Sequence, residues 1–217
     1  MQSIQSTKWP IKNLADLLVD FTNKNKEDEE IPVYSVTNNE GFTISTDYFS
    51  KKVFSKNLKT YKIVEKGDFA YNPSRVNVGS IDFFQYEGKG LISPLYVTFK
   101  TKKELSEKYL KYFLKSPIGN AYIRNNTSGS VRDTLSFKNL SKISIPLPPL
   151  AEQKQVVEEL DEADLLRKKR KQAVVLLDDY LKAVFLEMFG DPVANPKGFD
   201  KVKIGDMGSV VTGNTLF

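Results

Sequence analysis

Thirty-nine consecutive residues without proline or glycine, Ala151 to Phe189, constrain this chain more than any other feature. Good helix formers dominate the stretch, so it reads as one uninterrupted helix. At 1.5 Å per residue such a helix is roughly 55 Å long. Val156, Leu160, Ala163, Arg167, Arg170, Val174, Leu177, Leu181, Val184 and Met188 follow alternating steps of four and three residues. That is a heptad seam, apolar at both ends and interrupted by two arginines in the middle. A small domain cannot cover so long a stripe, and the seam therefore calls for another helix. The competing expectation is an amphipathic helix folded back on its own domain. The proline-rich stop PLPPL just before it favours a helix that leaves the domain.

Ahead of the helix the pattern is different. IPVYSV, GFTIST, YKIVEKGDFAYN, VGSIDFFQY and LISPLYVTF are short runs rich in Val, Ile, Tyr, Phe and Thr, punctuated by Gly, Pro, Asn and Ser. Runs of this kind are strands between turns. EKGD at Glu65–Asp68 is a tight turn with glycine supplying the positive φ. LADLLVD at 14–20 fits a short helix or a strand, and KNKEDEE after it a solvated loop. SEKYLKYFLKSP predicts a helix capped by Ser106, with Leu110, Phe113 and Leu114 inward and Pro117 beyond its end. A second short helix or turn is expected over Ile118–Arg124, and KISIPL is a last strand. The fold class is α+β: a mixed α/β domain over 1–150, one long coiled-coil-forming helix over 151–190, and a turn and tail over 191–217.

Composition closes several functions. The chain has 217 residues, no Cys and no His, which removes disulfides, thiol nucleophiles, Ser-His-Asp triads and HExxH metal sites. No apolar run approaches a membrane span, and the N-terminal MQSIQSTKWP lacks a signal-peptide core, so the expectation is a cytoplasmic protein. Residues 1–150 hold 22 Lys/Arg against 15 Asp/Glu, whereas 151–190 hold 7 against 9. A basic first segment joined to a mildly acidic second one suggests a polyanion, nucleic acid above all, as partner of the first.

Catalytic readings fail on spacing. Asp82 with Glu87-Gly88-Lys89 has the letters of a metal-dependent nuclease, but the acid precedes the Glu by five residues and EGKG is hairpin-turn chemistry. Asn72-Pro73-Ser74-Arg75 lacks the second proline and the aromatic of an amino-methyltransferase loop, and no glycine-rich loop cradles a nucleotide. No metal site is expected. Binding chemistry remains. Lys51, Lys52, Lys56 and Lys59, interleaved with Phe54 and Tyr61, could meet phosphates, with the aromatics on sugars or bases. Asn72, Arg75 and Asn77 sit in a loop bounded by strands, and Arg and Asn match guanine and adenine edges. Ser130, Arg132 and Thr134, with N–H groups freed by Gly129, form a second candidate grip. These loops equally suit a structural role, Asn and Gly being ordinary turn formers.

The tail overlays the N-terminus at an offset of 190 residues, Trp9 on Phe199, Leu14 on Ile204, Asp16 on Asp206, Leu17 on Met207 and Thr22 on Thr212. YNPSRVNVGSI, GLISPLYVTF and above all LSKISIPLPPLAEQKQVVEELD resemble the specificity subunit of type I restriction-modification systems. The resemblance covers most of 60–190. It implies two target recognition domains, each followed by a long helix, the helices pairing antiparallel between the halves of a split DNA target. It also implies no catalysis and no cofactor on this chain, with S-adenosylmethionine, ATP and Mg on the partner methyltransferase and restriction subunits. Only the opening of a second recognition domain is present, at Lys201–Phe217. Both a half-length form, pairing as a homodimer on double-stranded DNA through Val156, Leu160, Ala163, Val174, Leu177, Leu181, Val184 and Met188, and a piece of a longer subunit stay open. No base-contact residue transfers by motif. The alternatives are a protein–protein adaptor with incidental charge, which would bind methylase subunits without DNA, and a nuclease, which would cleave with Mg²⁺ unaided.

Overall fold

A computed structural model of the chain describes residues 8–45, 57–127 and 134–208. Two compact units divide at Glu162/Ala163, inside the long helix. The first begins with β1 (Ile11–Asn13), a single helical turn α1 (Leu14–Leu17) and β2 (Leu18–Asp20). LADLLVD is thus half helix and half strand. Leu14 and Leu17, three apart, point into the core, and Leu18–Asp20 then pairs antiparallel with Phe99–Thr101.

The strands follow as the turn punctuation predicts: β3 (Val33–Thr37), β4 (Gly41–Ile44), β5 (Lys62–Glu65), β6 (Phe69–Tyr71), β7 (Ile81–Phe83), β8 (Lys89–Ile92) and β9 (Val97–Thr101). They form two four-stranded sheets, in the orders β2-β9-β6-β7 and β4-β3-β8-β5. The second is mixed, because β3 lies parallel to β8. Gly67 takes φ 91° in the EKGD turn, as expected of the residue that needs no Cβ. Gly41 opens β4 at φ 69°, and a Cβ there would sit 1.8 Å from Asp82 Oδ2. Only glycine fits.

Two helices follow, α2 (Glu107–Lys115) and α3 (Pro117–Asn125). Leu110 and Leu114 of α2 are buried and Phe113 is half-buried, with Tyr109 added to the inner face. Ser106 stands at the N-cap, yet its side chain makes no capping bond. Ser116 caps α3 in full, its Oγ accepting from Gly119 N at 3.0 Å. A short helix α4 (Phe137–Leu140), capped by Ser136, was not foreseen: four residues are too few for a helical period to register. β10 (Ser144–Pro146) pairs with β1, closing the domain through residues more than 130 apart in sequence.

The main core gathers Leu14, Leu17, Phe69, Tyr71, Phe99, Leu110, Leu114, Ile123 and Ile145 between the first sheet and α2/α3. Phe69 and Phe99 stack at 4.8 Å. A smaller aromatic cluster of Tyr34, Phe42 and Phe84 fills the second sheet.

The long helix α5 spans Leu150–Phe189, 40 residues. Its first turns belong to the first unit, and the residue that fastens them is Gln153, fully buried. Its Nε2 donates to Glu104 O and Pro148 O, both at 2.9 Å, and its Oε1 accepts from Ser106 N at 2.9 Å. The amide thus satisfies the N-cap N–H of α2, a different donor from those in the first turn that a capping Ser106 hydroxyl would take. Farther along, Asp161 pairs with Lys108 at 2.8 Å and accepts from Tyr112 Oη at 2.7 Å. The Lys108 ammonium holds the Asp161 carboxyl below its ordinary range.

In the second unit a one-turn helix α6 (Ile204–Met207) lies 190 residues after α1 (Leu14–Leu17), end for end. The N-cap residues also agree, Asn13 at φ −74°, ψ 142° and Lys203 at φ −77°, ψ 141°. The burial differs. Leu14 and Leu17 are in the core, while Ile204 and Met207 are 79% and 75% exposed.

Candidate nucleic-acid interface

Three surface segments of the first unit are tied together. The loop 72–80 is held rigidly by its own backbone: Arg75 N donates to Asn72 O at 3.0 Å, and Arg75 O accepts from both Val78 N and Ser80 N at 3.2 Å. Val76 anchors it in the core, and Ser80 Oγ donates to Val36 O at 2.6 Å. The β3–β4 turn comes next to it, since a Cβ on Gly79 (φ 94°) would lie 2.4 Å from Asn38 Oδ1. The α2–α3 junction closes the group. Lys115 Nζ donates to Asn38 O at 3.2 Å, and Asn120 Nδ2 donates to Asn77 O at 3.0 Å. On the other side, Leu135 N donates to Pro73 O at 3.1 Å and Tyr71 Oη to Leu135 O at 3.1 Å, bringing Thr134 beside the loop.

The loop fixes different fates for its polar side chains. Arg75 is exposed, and Asn77 is half-buried with its carbonyl held by Asn120. Asn72 braces the loop with its own side chain. It is half-buried, and its Oδ1 accepts from Ser74 N at 3.0 Å, the bond of an Asx turn. Tyr61 is a correction. It is buried with Val33, Ile63 and Leu91, so its ring packs in the second sheet instead of against sugar or base. Lys59 is exposed and 3.9 Å from Asp28. Lys51, Lys52, Phe54, Lys56, Ser130 and Arg132 lie outside the described residues.

Asp82 is neither open nor near water. It is buried, and its Oδ1 is 3.0 Å from Lys111 Nζ and accepts from Phe83 N at 2.8 Å. Glu87 pairs with Lys66 on the surface. Among the described residues, no three acidic side chains come together in a way that could hold a metal ion.

The heptad positions of α5 divide between two roles. Val156 is half-buried against the main core beside the buried Val157, so the domain covers part of it. The free stripe starts at Leu160, 38% exposed, and continues through Ala163, Val174, Leu177, Leu181 and Met188, while Val184 is half-buried. Arg167 lies 3.0 Å from Asp164 one turn earlier. Val175, Leu176, Leu186 and Phe189 are exposed as well, so the last four turns are apolar beyond the seam.

Residues 7–175 match the family described as the type I restriction modification DNA specificity domain, which is most of the chain. The chain belongs to this family. A type I restriction enzyme specificity subunit of Methanocaldococcus jannaschii, MjaVIII, is 30% identical over 168 residues, covering 76% of this chain and 38% of the relative. A putative MjaX specificity subunit of the same organism is 23% identical over 210 residues, covering 92% and 49%. The chain therefore spans half or less of the length of the curated relatives it matches. The fold is shared with the crystal structure of an HsdS subunit from Thermoanaerobacter tengcongensis, at TM-score 0.55 and 15% identity, covering 89% of this chain and 51% of that one. A chain from a structural study of complex assembly and conformational transition in the type I R-M system gives TM-score 0.55 at 18% identity, covering 81% and 43%.

Within this specificity domain, Arg75 and Asn77 are the predicted residues that the fold presents on a rigid loop, with Thr134 at its edge. Lys115, Asn120 and Arg124 complete the surface and escaped the sequence reading. KSPIGNAYIRNN reads only as a helix junction, and nothing in its linear pattern announces the bonds to Asn38 and Asn77.

Proposed function

We propose that this specificity-family chain is a non-catalytic DNA-recognition subunit. It directs methyltransferase and restriction subunits to a bipartite target, and works as a homodimer joined antiparallel through α5. The observation that carries the reading is the Arg75–Asn77 loop, an exposed forked cation and a half-buried amide on a backbone braced at Arg75 N, Arg75 O and Asn77 O. Such side chains read guanine and adenine edges in the major groove. The basic balance of residues 1–150 supplies the phosphate attraction. The exposed stripe from Leu160 to Met188 supports pairing of two copies, and two-fold symmetry then implies identical half-sites. S-adenosylmethionine, ATP and Mg belong to the partner subunits, and the site of action is the cytoplasm. Among the described residues no helix is long and apolar enough to cross a membrane.

Arg75→Ala and Asn77→Ala test the reading. Each is expected to change the preferred sequence at one base pair, at a cost of about 1–3 kcal/mol for a bidentate contact. Selection from a randomised duplex pool measures it. A uniform loss over all sequences contradicts base reading at this loop. The adaptor reading draws on the apolar surface at 174–189, and DNA-independent capture of methyltransferase subunits would favour it.

A further inference from the structure

We infer that the open pocket at the α2–α3 junction grips a DNA backbone phosphate and thereby sets the Arg75–Asn77 loop in register with the bases. The inference rests on the DNA-recognition reading and assigns residues that reading does not. The pocket has a volume of about 480 Å³, room for a phosphate with its sugar, and Lys115, Ser116, Asn120 and Arg124 are among the residues around it. None of the described residues that line it is acidic. Arg124 is exposed, and among the described residues neither it nor Arg75 has an acidic partner. The other nearby lysine of α2, Lys111, is already neutralised by Asp82 at 3.0 Å.

The chemistry of the lining selects the ligand. Lysine and arginine are donors only, and two of them around an opening with no acid among its described lining suit an anion with several acceptor oxygens. Base edges mix donors with acceptors. The position gives the grip its purpose. Lys115 is tethered to the Asn38 carbonyl, and Asn120, on the pocket wall, holds the Asn77 carbonyl at 3.0 Å. A phosphate seated between Lys115 and Arg124 is therefore one hydrogen bond away from the loop that carries Arg75. Phosphate contacts fix register while base contacts specify, and here one wall serves both.

The test uses the full chain and duplex DNA over a salt series, with Arg124→Ala, Lys115→Ala and Lys115→Arg. Arg124→Ala is expected to weaken all duplexes by the same factor and to lower the salt slope by about 1. Over 50 to 200 mM salt that is about 4-fold less loss of affinity than in the wild type. Its melting temperature should not move, the side chain being exposed and, among the described residues, without an ion pair. Lys115→Ala should behave alike, and Lys115→Arg should restore the slope. Unchanged affinity and slope in Arg124→Ala overturn the inference. So does a changed sequence preference, which would make the pocket a base reader, and so does weaker binding at an unchanged slope. A wild-type chain that binds no duplex in a salt-dependent way brings down DNA recognition itself, an outcome distinct from all of these.

Discussion

Leu177→Asp combined with Leu181→Asp is expected to leave only monomers. Both side chains lie on the free stripe of α5, 57% and 58% exposed in the isolated chain. An antiparallel pair would bury four such leucines, each contributing about 1.5–3 kcal/mol on leaving water. Losing them, and asking carboxylates to enter the seam, should weaken association by at least about four orders of magnitude. Sedimentation at tens of micromolar measures it: a dimer for the wild type, a monomer for the double variant, with helix content unchanged. The same variant should lose tight binding to a split target while each domain keeps its weak contact. A wild type that sediments as a monomer contradicts both the pairing and the palindrome. The heptad alone does not set orientation, since Arg167 and Arg170 lie near the middle of the stripe in either direction. Antiparallel order is part of the proposal.

Gln153→Ala should be strongly destabilising to the first unit. It strands Ser106 N, Glu104 O and Pro148 O at once and opens a void under the first turn of α5. Leaving a buried group unpaired costs about 1–3 kcal/mol, so a loss of about 3 kcal/mol or more is expected. For a chain of this size that lowers the melting temperature by about 6–12 °C, readable by calorimetry. Gln153→Glu sharpens the test. An ionised carboxylate would face two carbonyl oxygens, which raises its pKa in the folded state. The damage is then full above that raised value and relieved as the pH falls through it, when the protonated acid can donate again. A melting temperature within 2–3 °C of wild type for Gln153→Ala, roughly a 1 kcal/mol effect, would contradict this role.

The strands and the long helix were legible because each rests on local chemistry: β-branched and aromatic runs between turn residues, then 39 positions without a breaker. α4 was invisible because four residues carry no period. Tyr61 misled because its sequence neighbours are lysines, while its ring answers to Val33 and Leu91 across the sheet. Asn72 was readable as a loop residue, but the 3.0 Å bond by which its side chain braces Ser74 N was not. Arg75 and Asn77 were readable as a polar loop between strands. Lys115, Asn120 and Arg124 were not, since their meaning comes from contact with residues 38 and 77, which lie remote in the chain. Gln153 sits inside the stretch that carried the family resemblance, yet no pattern distinguishes a buried glutamine from the exposed ones.

The central claim is that this chain chooses where DNA is modified. Mapping modified adenines across the genome with the gene intact, deleted, and restored as Arg75→Ala tests it most directly. The account predicts one interrupted palindrome with identical inverted half-sites. It should be modified in the intact strain, unmodified in the deletion, and relaxed at one position per half-site by the substitution. A methylome that deletion leaves unchanged would contradict the claim outright, and two unlike half-sites would contradict the symmetric pair.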